Sequence, residues 1–190
     1  FCLSRGLGDV YKRQVTQGKV RQIGCSNFSV DQISEADEAA TSAELVHFVS
    51  VQNQYNIFHR EPEAGVLAEC ERLNLGFLPF FPLASGLLTG KYRLGQPLPE
   101  NTRISAYPPE RSARLVSEER LSAIEALIEL ADSYGHSLLE LAFGWLLSRP
   151  PVASVIAGAT SPEQVRANVA AGNWKLPDEA ASRIDEIAPA

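Results

Sequence analysis

Four short runs hold residue types from which a ligand site could be built: Ser26-Asn27-Phe28, Gln52-Asn53-Gln54-Tyr55, Phe80-Phe81-Pro82-Leu83-Ala84-Ser85-Gly86 and Gly158-Ala159-Thr160-Ser161. Asn27 and Gln54 are neutral donors and acceptors. They suit a planar carboxamide better than a metal or a carboxylate, and capping of nearby backbone is their other use. Gly158 to Ser161 leads straight into a Ser-Pro-Glu helix opening. There the free backbone N–H groups and the helix dipole favour phosphate. Leu83 to Gly86 can offer further backbone donors. Each run taken alone is also what an ordinary tight turn looks like.

These runs sit at the ends of apolar segments, and the segments alternate with helical patterns. Val20 to Cys25 reads as a strand, followed by a helix over Val30 to Ala40 with Ser29 as its N-cap. Leu45 to Tyr55 is a second strand. Glu61 to Leu73 carries Val66, Leu67, Cys70 and Leu73 at helical spacing and stops at Asn74 to Gly76. Phe77 to Leu83 is a third strand, unusual for its two prolines. Ala84 to Pro109 shows no period, and a loop of that length is usually functional. Ser117 to Tyr134 is an amphipathic helix broken by Gly135. Leu138 to Leu147 is apolar almost all round, which predicts burial. Val152 to Ala157 is a fourth strand. Ser161 caps a helix running to Ala171, and Pro177 to Ile187 is a terminal helix. The strands lack a clean in/out alternation, which favours a parallel sheet covered by helices. Four such units fit an open doubly wound sheet or half of an eightfold barrel, and in both, ligands bind at the strand tips.

Composition narrows the choice of partners. The 190 residues carry a net charge of −6, which argues against a nucleic-acid or anionic-membrane surface. No apolar run approaches the ~20 residues of a membrane helix. Cys2, Cys25 and Cys70 are widely spaced, with no Cys/His cluster, so no metal site is expected and reduced thiols in a cytoplasmic protein are the simplest reading. The glycine fingerprints of dinucleotide and NTP sites are absent, as is the nucleophile elbow. His47, His59 and His136 have no Asp or Cys placed to form a catalytic pair. Glu35, Asp37 and Glu38 read as a solvated helix face.

In this order, the four tips resemble the aldo-keto reductase family. The resemblance runs from about Val15 to Ala188. Its strongest pieces are Gly18 to Phe28, Val51 to Asn56, Phe81 to Tyr92 and Val155 to Val165. The match looks closest to the bacterial branch resembling potassium-channel β-subunits. It implies an α/β fold, a (β/α)8 TIM barrel of which strands five to eight are present. It implies NADP(H) as cofactor, held without a Rossmann fold. Carried over by position, Ser26, Asn27 and Gln54 would hold the nicotinamide carboxamide. Phe80 would stack on the ring, a role that needs a π face rather than a hydroxyl. Pro82, Leu83, Ser85, Gly86 and Leu87, with Lys91 near, would line the pyrophosphate. Gly158, Thr160, Gln164 and Asn168 would surround the 2′-phosphate and adenine. Some relatives carry Lys and Arg where this sequence has Gly158 and Gln164, so charge-assisted contacts to the 2′-phosphate are missing. Ala167 replaces a frequent Glu.

The resemblance further implies that the Tyr, Lys, Asp and His of carbonyl reduction come from the first half of the barrel. Those positions have no counterpart here, so no catalytic residue is assigned. Residues 1–14 are expected to be foreign: Ser4 to Gln14 matches, codon for codon, the translation of a DNA-library adapter. Tyr11 and Lys12 are therefore not read as catalytic. The chain is expected to be inactive alone, and its small carbonyl substrate belongs to the parent protein. Self-association through exposed barrel edges is expected as well.

Overall fold

The computed structural model describes residues 12–189. Of the stretch expected to be foreign, most lies outside the described residues, while 12–14 open a helical turn over 12–16. Three parallel strands follow in sequential order: β1 (Ile23–Ser26), β2 (Phe48–Gln52) and β3 (Gly76–Phe77). Between them lie α1 (Val30–Ser42) and α2 (Val66–Arg72), the latter preceded by a 3-10 turn over Glu61–Ala64. Then come α3 (Pro109–Leu115), α4 (Glu118–Ser133), α5 (Leu138–Leu147), α6 (Pro162–Ala171) and α7 (Asp178–Ile187).

The helix starts follow the sequence closely because their caps are local. Ser29 and Gln32 form a reciprocal capping box on α1, and Ser137 and Glu140 form another on α5. Ser117 and Ser161 each accept a backbone N–H at the start of α4 and α6. The strands depart further. The expected fourth strand is not formed: Val152 makes a single parallel bridge to Phe77, and Ile156 N–H donates to the Pro79 carbonyl at 3.1 Å. The third strand is cut to two residues, because Pro79 and Pro82 cannot donate to a ladder. Beyond it, Phe80 meets Gln54 in an isolated parallel bridge. The region expected as an unpatterned loop contains a 3-10 segment (Ala84–Thr89), and α3 starts at its end.

Register sets one buried row across the sheet: Cys25 opposite Val51, Val51 opposite Phe77, and Phe77 opposite Val152. All four are buried. Tyr55 packs edge-on to Phe77 at 5.9 Å and against Trp145 of α5 at 5.1 Å, and all three rings are excluded from water. Burying each such side chain contributes about 1.5–3 kcal/mol. As its composition requires, α5 is buried along nearly its whole length. It packs against α4 on one side and α6 on the other. The free thiols Cys25 and Cys70 lie in this core, where burial pushes them up to about 11 and about 12.

Candidate functional site

The tips of β1, β2 and β3 converge through a chain of short hydrogen bonds. Ser26 Oγ donates to the Gln52 carbonyl at 2.8 Å, and Asn27 N–H reaches the same oxygen at 3.0 Å. Asn27 Nδ2 donates to Ser26 Oγ at 3.1 Å. Asn27 sits at φ +58°, a left-handed conformation that Asn tolerates better than most residues. Phe80 N–H donates to the Asn53 carbonyl at 3.1 Å, and the Phe80 carbonyl accepts from Tyr55 N–H at 3.3 Å. Asn56, buried at 1% exposure, ties the same two tips through Nδ2 to the Phe81 carbonyl at 2.9 Å.

A cleft of about 490 Å³ opens over these tips. Asn27, Asn53, Gln54, His59, Glu61 and Phe80 are among the residues that line it. Asn53 Nδ2 donates to the Phe28 carbonyl at 3.0 Å, but its Oδ1 is buried with no partner. Among the described residues, the Gln54 side chain makes no hydrogen bond to protein; backbone capping is therefore not its use. An unpaired buried amide oxygen beside an uncommitted amide costs stability and fits a ligand with complementary amide edges. Behind the cleft, the Tyr55 hydroxyl donates to Glu63 at 2.7 Å, and burial foremost pushes that phenol up.

The turn after β3 is built from unusual backbone. Phe81, Ala84 and Ser85 lie at φ +52°, +47° and +61°, and Gly86 lies at +97°. Such clustering of non-glycine residues in the left-handed region is typical of functional loops, and arrays of this kind suit anions. Lys91 folds back over the turn. A Cβ added at Gly86 would stand 3.2 Å from Lys91 Nζ, and Nζ lies 5.2 Å from the Tyr92 ring centroid. Among the described residues, Lys91 has no carboxylate partner. Pro82 is buried, and Leu83, Ser85 and Gly86 are half-buried. Leu87 is fully buried in the core, so its side chain faces no ligand and only its backbone is available.

A second cluster forms at the start of α6. Gln164 Oε1 accepts from Thr160 N–H at 2.7 Å and from Thr160 Oγ1 at 3.2 Å, while Gly158 is open to solvent with nothing near its Cα face. Asn168 faces a separate apolar groove of about 370 Å³ lined by Phe143, Leu147, Val165 and Val169. Asn27, Gln54 and Phe80 thus come together in one cleft, Ser26 joins them through its hydrogen bond to Asn27, and the α6 cluster lines no part of it.

A sequence model of the aldo/keto reductase family matches residues 9–189. The chain belongs to the aldo/keto reductase family. It is 33% identical over 183 residues to a putative voltage-gated potassium channel subunit beta of Schizosaccharomyces pombe, covering 93% of this chain and 53% of that protein. A probable voltage-gated potassium channel subunit beta of Oryza sativa is 37% identical over 150 residues, 78% of this chain and 45% of the relative. An L-glyceraldehyde 3-phosphate reductase of Escherichia coli is 30% identical over 177 residues, 90% and 50%. The chain spans about half the length of these curated relatives.

Within this aldo/keto reductase chain, the sequence reading missed Asn53, Asn56 and His59 as site-forming residues. The first had a visible signal, since three amides in a row at Gln52 to Gln54 exceed what a strand end needs. Asn56 and His59 gave none: their role comes from a tight turn in which each donates its backbone N–H to the other's carbonyl, at 3.1 and 2.9 Å. Among the described residues no helix is long and apolar enough to cross a membrane, and no cluster of three or more His, Cys, Asp or Glu residues is placed to hold a metal.

Proposed function

We propose that this chain is the cofactor-binding C-terminal half, strands five to eight, of an NADP(H)-dependent aldo-keto oxidoreductase barrel acting on a small carbonyl substrate. The observation that carries this reading is the convergence of Asn27, Gln54 and Phe80 in one cleft beside the left-handed turn under Lys91. The unpartnered Asn53 oxygen and the free Gln54 amide fit a carboxamide, and the Phe80 ring fits a planar heterocycle. When bound, the nicotinamide would supply hydride. Ser26, Asn27 and Gln54 would orient its amide, and the turn from Pro82 to Leu87 with Lys91 would take the pyrophosphate charge. Gly158, Thr160, Gln164 and Asn168 would take the adenosine end. The sequential order of parallel strands, with no switch point, supports a barrel arc over a doubly wound sheet.

The likeness to proteins named as channel β-subunits supports a second reading, a non-catalytic NADP(H)-binding subunit. Both readings require cofactor binding and differ only in the acid–base residues of the other half. Calorimetry with NADP⁺ tests the shared claim. The expected result is saturable binding that weakens about tenfold in Gln54→Ala, the cost of losing one to two amide hydrogen bonds. Binding unchanged in Gln54→Ala would refute the assignment. The chain alone is expected to leave NADPH unoxidised with an aldehyde present, and oxidation above a blank would overturn that. Its open sheet edges are expected to pair with a second copy in sedimentation, and a monodisperse monomer would count against this.

A further inference from the structure

We propose that Arg60 and Asp185 are positioning residues that hold the wall of the amide-lined cleft from behind, so that the C-terminal helix sets the geometry of the ligand site. His59 and Glu61 face the cleft. Arg60, between them, points the opposite way with its side chain only 8% exposed. Its guanidinium is held on every side. Nε and NH2 donate to Glu63 at 3.0 and 2.8 Å, and NH1 reaches Asp185 of α7 at 2.9 Å and the Ala188 carbonyl at 3.1 Å. The Trp145 ring lies 5.2 Å below. Asp185 is fixed in turn by Trp145 Nε1 at 3.3 Å and by Arg149 at 3.2 Å.

A planar fork shared between two carboxylates and a carbonyl permits one geometry, which a flexible ammonium would not impose. The segment from Asn56 to Val66 is thereby tied at one end and in its middle. Asn56 fastens one end to the Phe81 carbonyl, and Arg60 fastens the middle to residues more than a hundred positions away. Nothing of this clamp lines the cleft, so its effect on a ligand must pass through His59, Glu61 and Pro62. Small displacements of such supporting groups are costly to binding and orientation.

The test uses the full chain and two readouts, of which only the first rests on the cofactor reading above. Calorimetry compares NADP⁺ with 2′,5′-ADP, which lacks the nicotinamide. Asp185→Asn is expected to weaken NADP⁺ about tenfold while leaving 2′,5′-ADP within about twofold, and Asp185→Glu is expected to recover most of the loss. NMR of the histidine rings is the second readout. In Asp185→Asn the His59 signals are expected to shift or broaden, while those of His47, which pairs with Asp37 on α1, stay in place. If Asp185→Asn does not fold, Arg60→Lys is read in the same way. Equal loss for both ligands, or His59 signals identical to wild type in a folded variant, overturns the proposal. If the unaltered chain binds neither ligand, the cofactor reading fails, and the His59 signals alone decide: movement supports the clamp, stillness refutes it.

Discussion

Replacing Asn56 with Ala isolates the tie between the second and third strand tips. The side chain is 1% exposed and makes two hydrogen bonds, Nδ2 to the Phe81 carbonyl at 2.9 Å and Oδ1 from Phe58 N–H at 2.9 Å. The backbone turn between Asn56 and His59 is untouched by the substitution. Each bond contributes about 1 kcal/mol net, and a donor left buried without a partner costs about 1–3 kcal/mol. Phe58 N–H is the group left stranded; the Phe81 carbonyl belongs to an exposed residue and can turn to water. The expected loss is therefore about 2–4 kcal/mol, read as a lower midpoint in urea at unchanged slope. Asn56→Asp keeps the acceptor for Phe58 but sets a carboxylate against the Phe81 carbonyl, and it is expected to be at least as destabilising above pH 5. On the proposed cofactor reading, NADP⁺ affinity is expected to fall in both variants, since the Phe81 carbonyl follows Phe80. A loss under about 1 kcal/mol for Asn56→Ala would show that the two tips are held by the ladder alone and would refute the reasoning.

Two further outcomes follow from the same geometry. A Cβ at Gly24 would stand 2.3 Å from Ser50 Oγ and 2.8 Å from the Ser50 carbonyl oxygen. The hydroxyl can rotate away, but the carbonyl cannot, so Gly24→Ala should cost about 1–3 kcal/mol in denaturant unfolding, and adding Ser50→Ala should recover only part of it. Hydrogen bonds from Arg72, and next from Ser34, hold the Glu69 carboxyl at about 2 against an ordinary 4.5. A depressed carboxyl contributes stability that is complete above about pH 4.5 and is lost as pH falls toward about 2. The full displacement corresponds to about 3 kcal/mol, cut to about 1–2 kcal/mol because Arg72 is largely exposed. Thermal unfolding across that window should show the decline in wild type and a shallower one in Glu69→Gln; equal slopes would count against it.

Local signals carried the helices, because a cap is decided within four residues. Ser29 with Gln32, Ser137 with Glu140, and Ser161 with Gln164 place three helix starts where a reader of the sequence puts them. The strands were legible as apolar runs but not in length. Leu45 to Tyr55 forms a continuous strand only over Phe48–Gln52, with one further bridge from Gln54 to Phe80, and Val152 to Ala157 makes one bridge. Whether a segment completes a ladder depends on a neighbour's N–H groups, and prolines in the third strand remove them.

The same division holds for the site. The sequence by itself determined the amides, the backbone donors from Leu83 to Gly86 and the capped start of α6, since each depends on residue type and near neighbours. It also carried the family, through four motifs in order. Only the tertiary structure decided that Asn27, Gln54 and Phe80 share a cleft, that Leu87 turns into the core, and that the α6 cluster lines no part of that cleft. It alone brought Arg60 to Asp185 and the Ala188 carbonyl. Those contacts join residues separated by tens to more than a hundred positions, where no local periodicity exists and packing alone selects the partner.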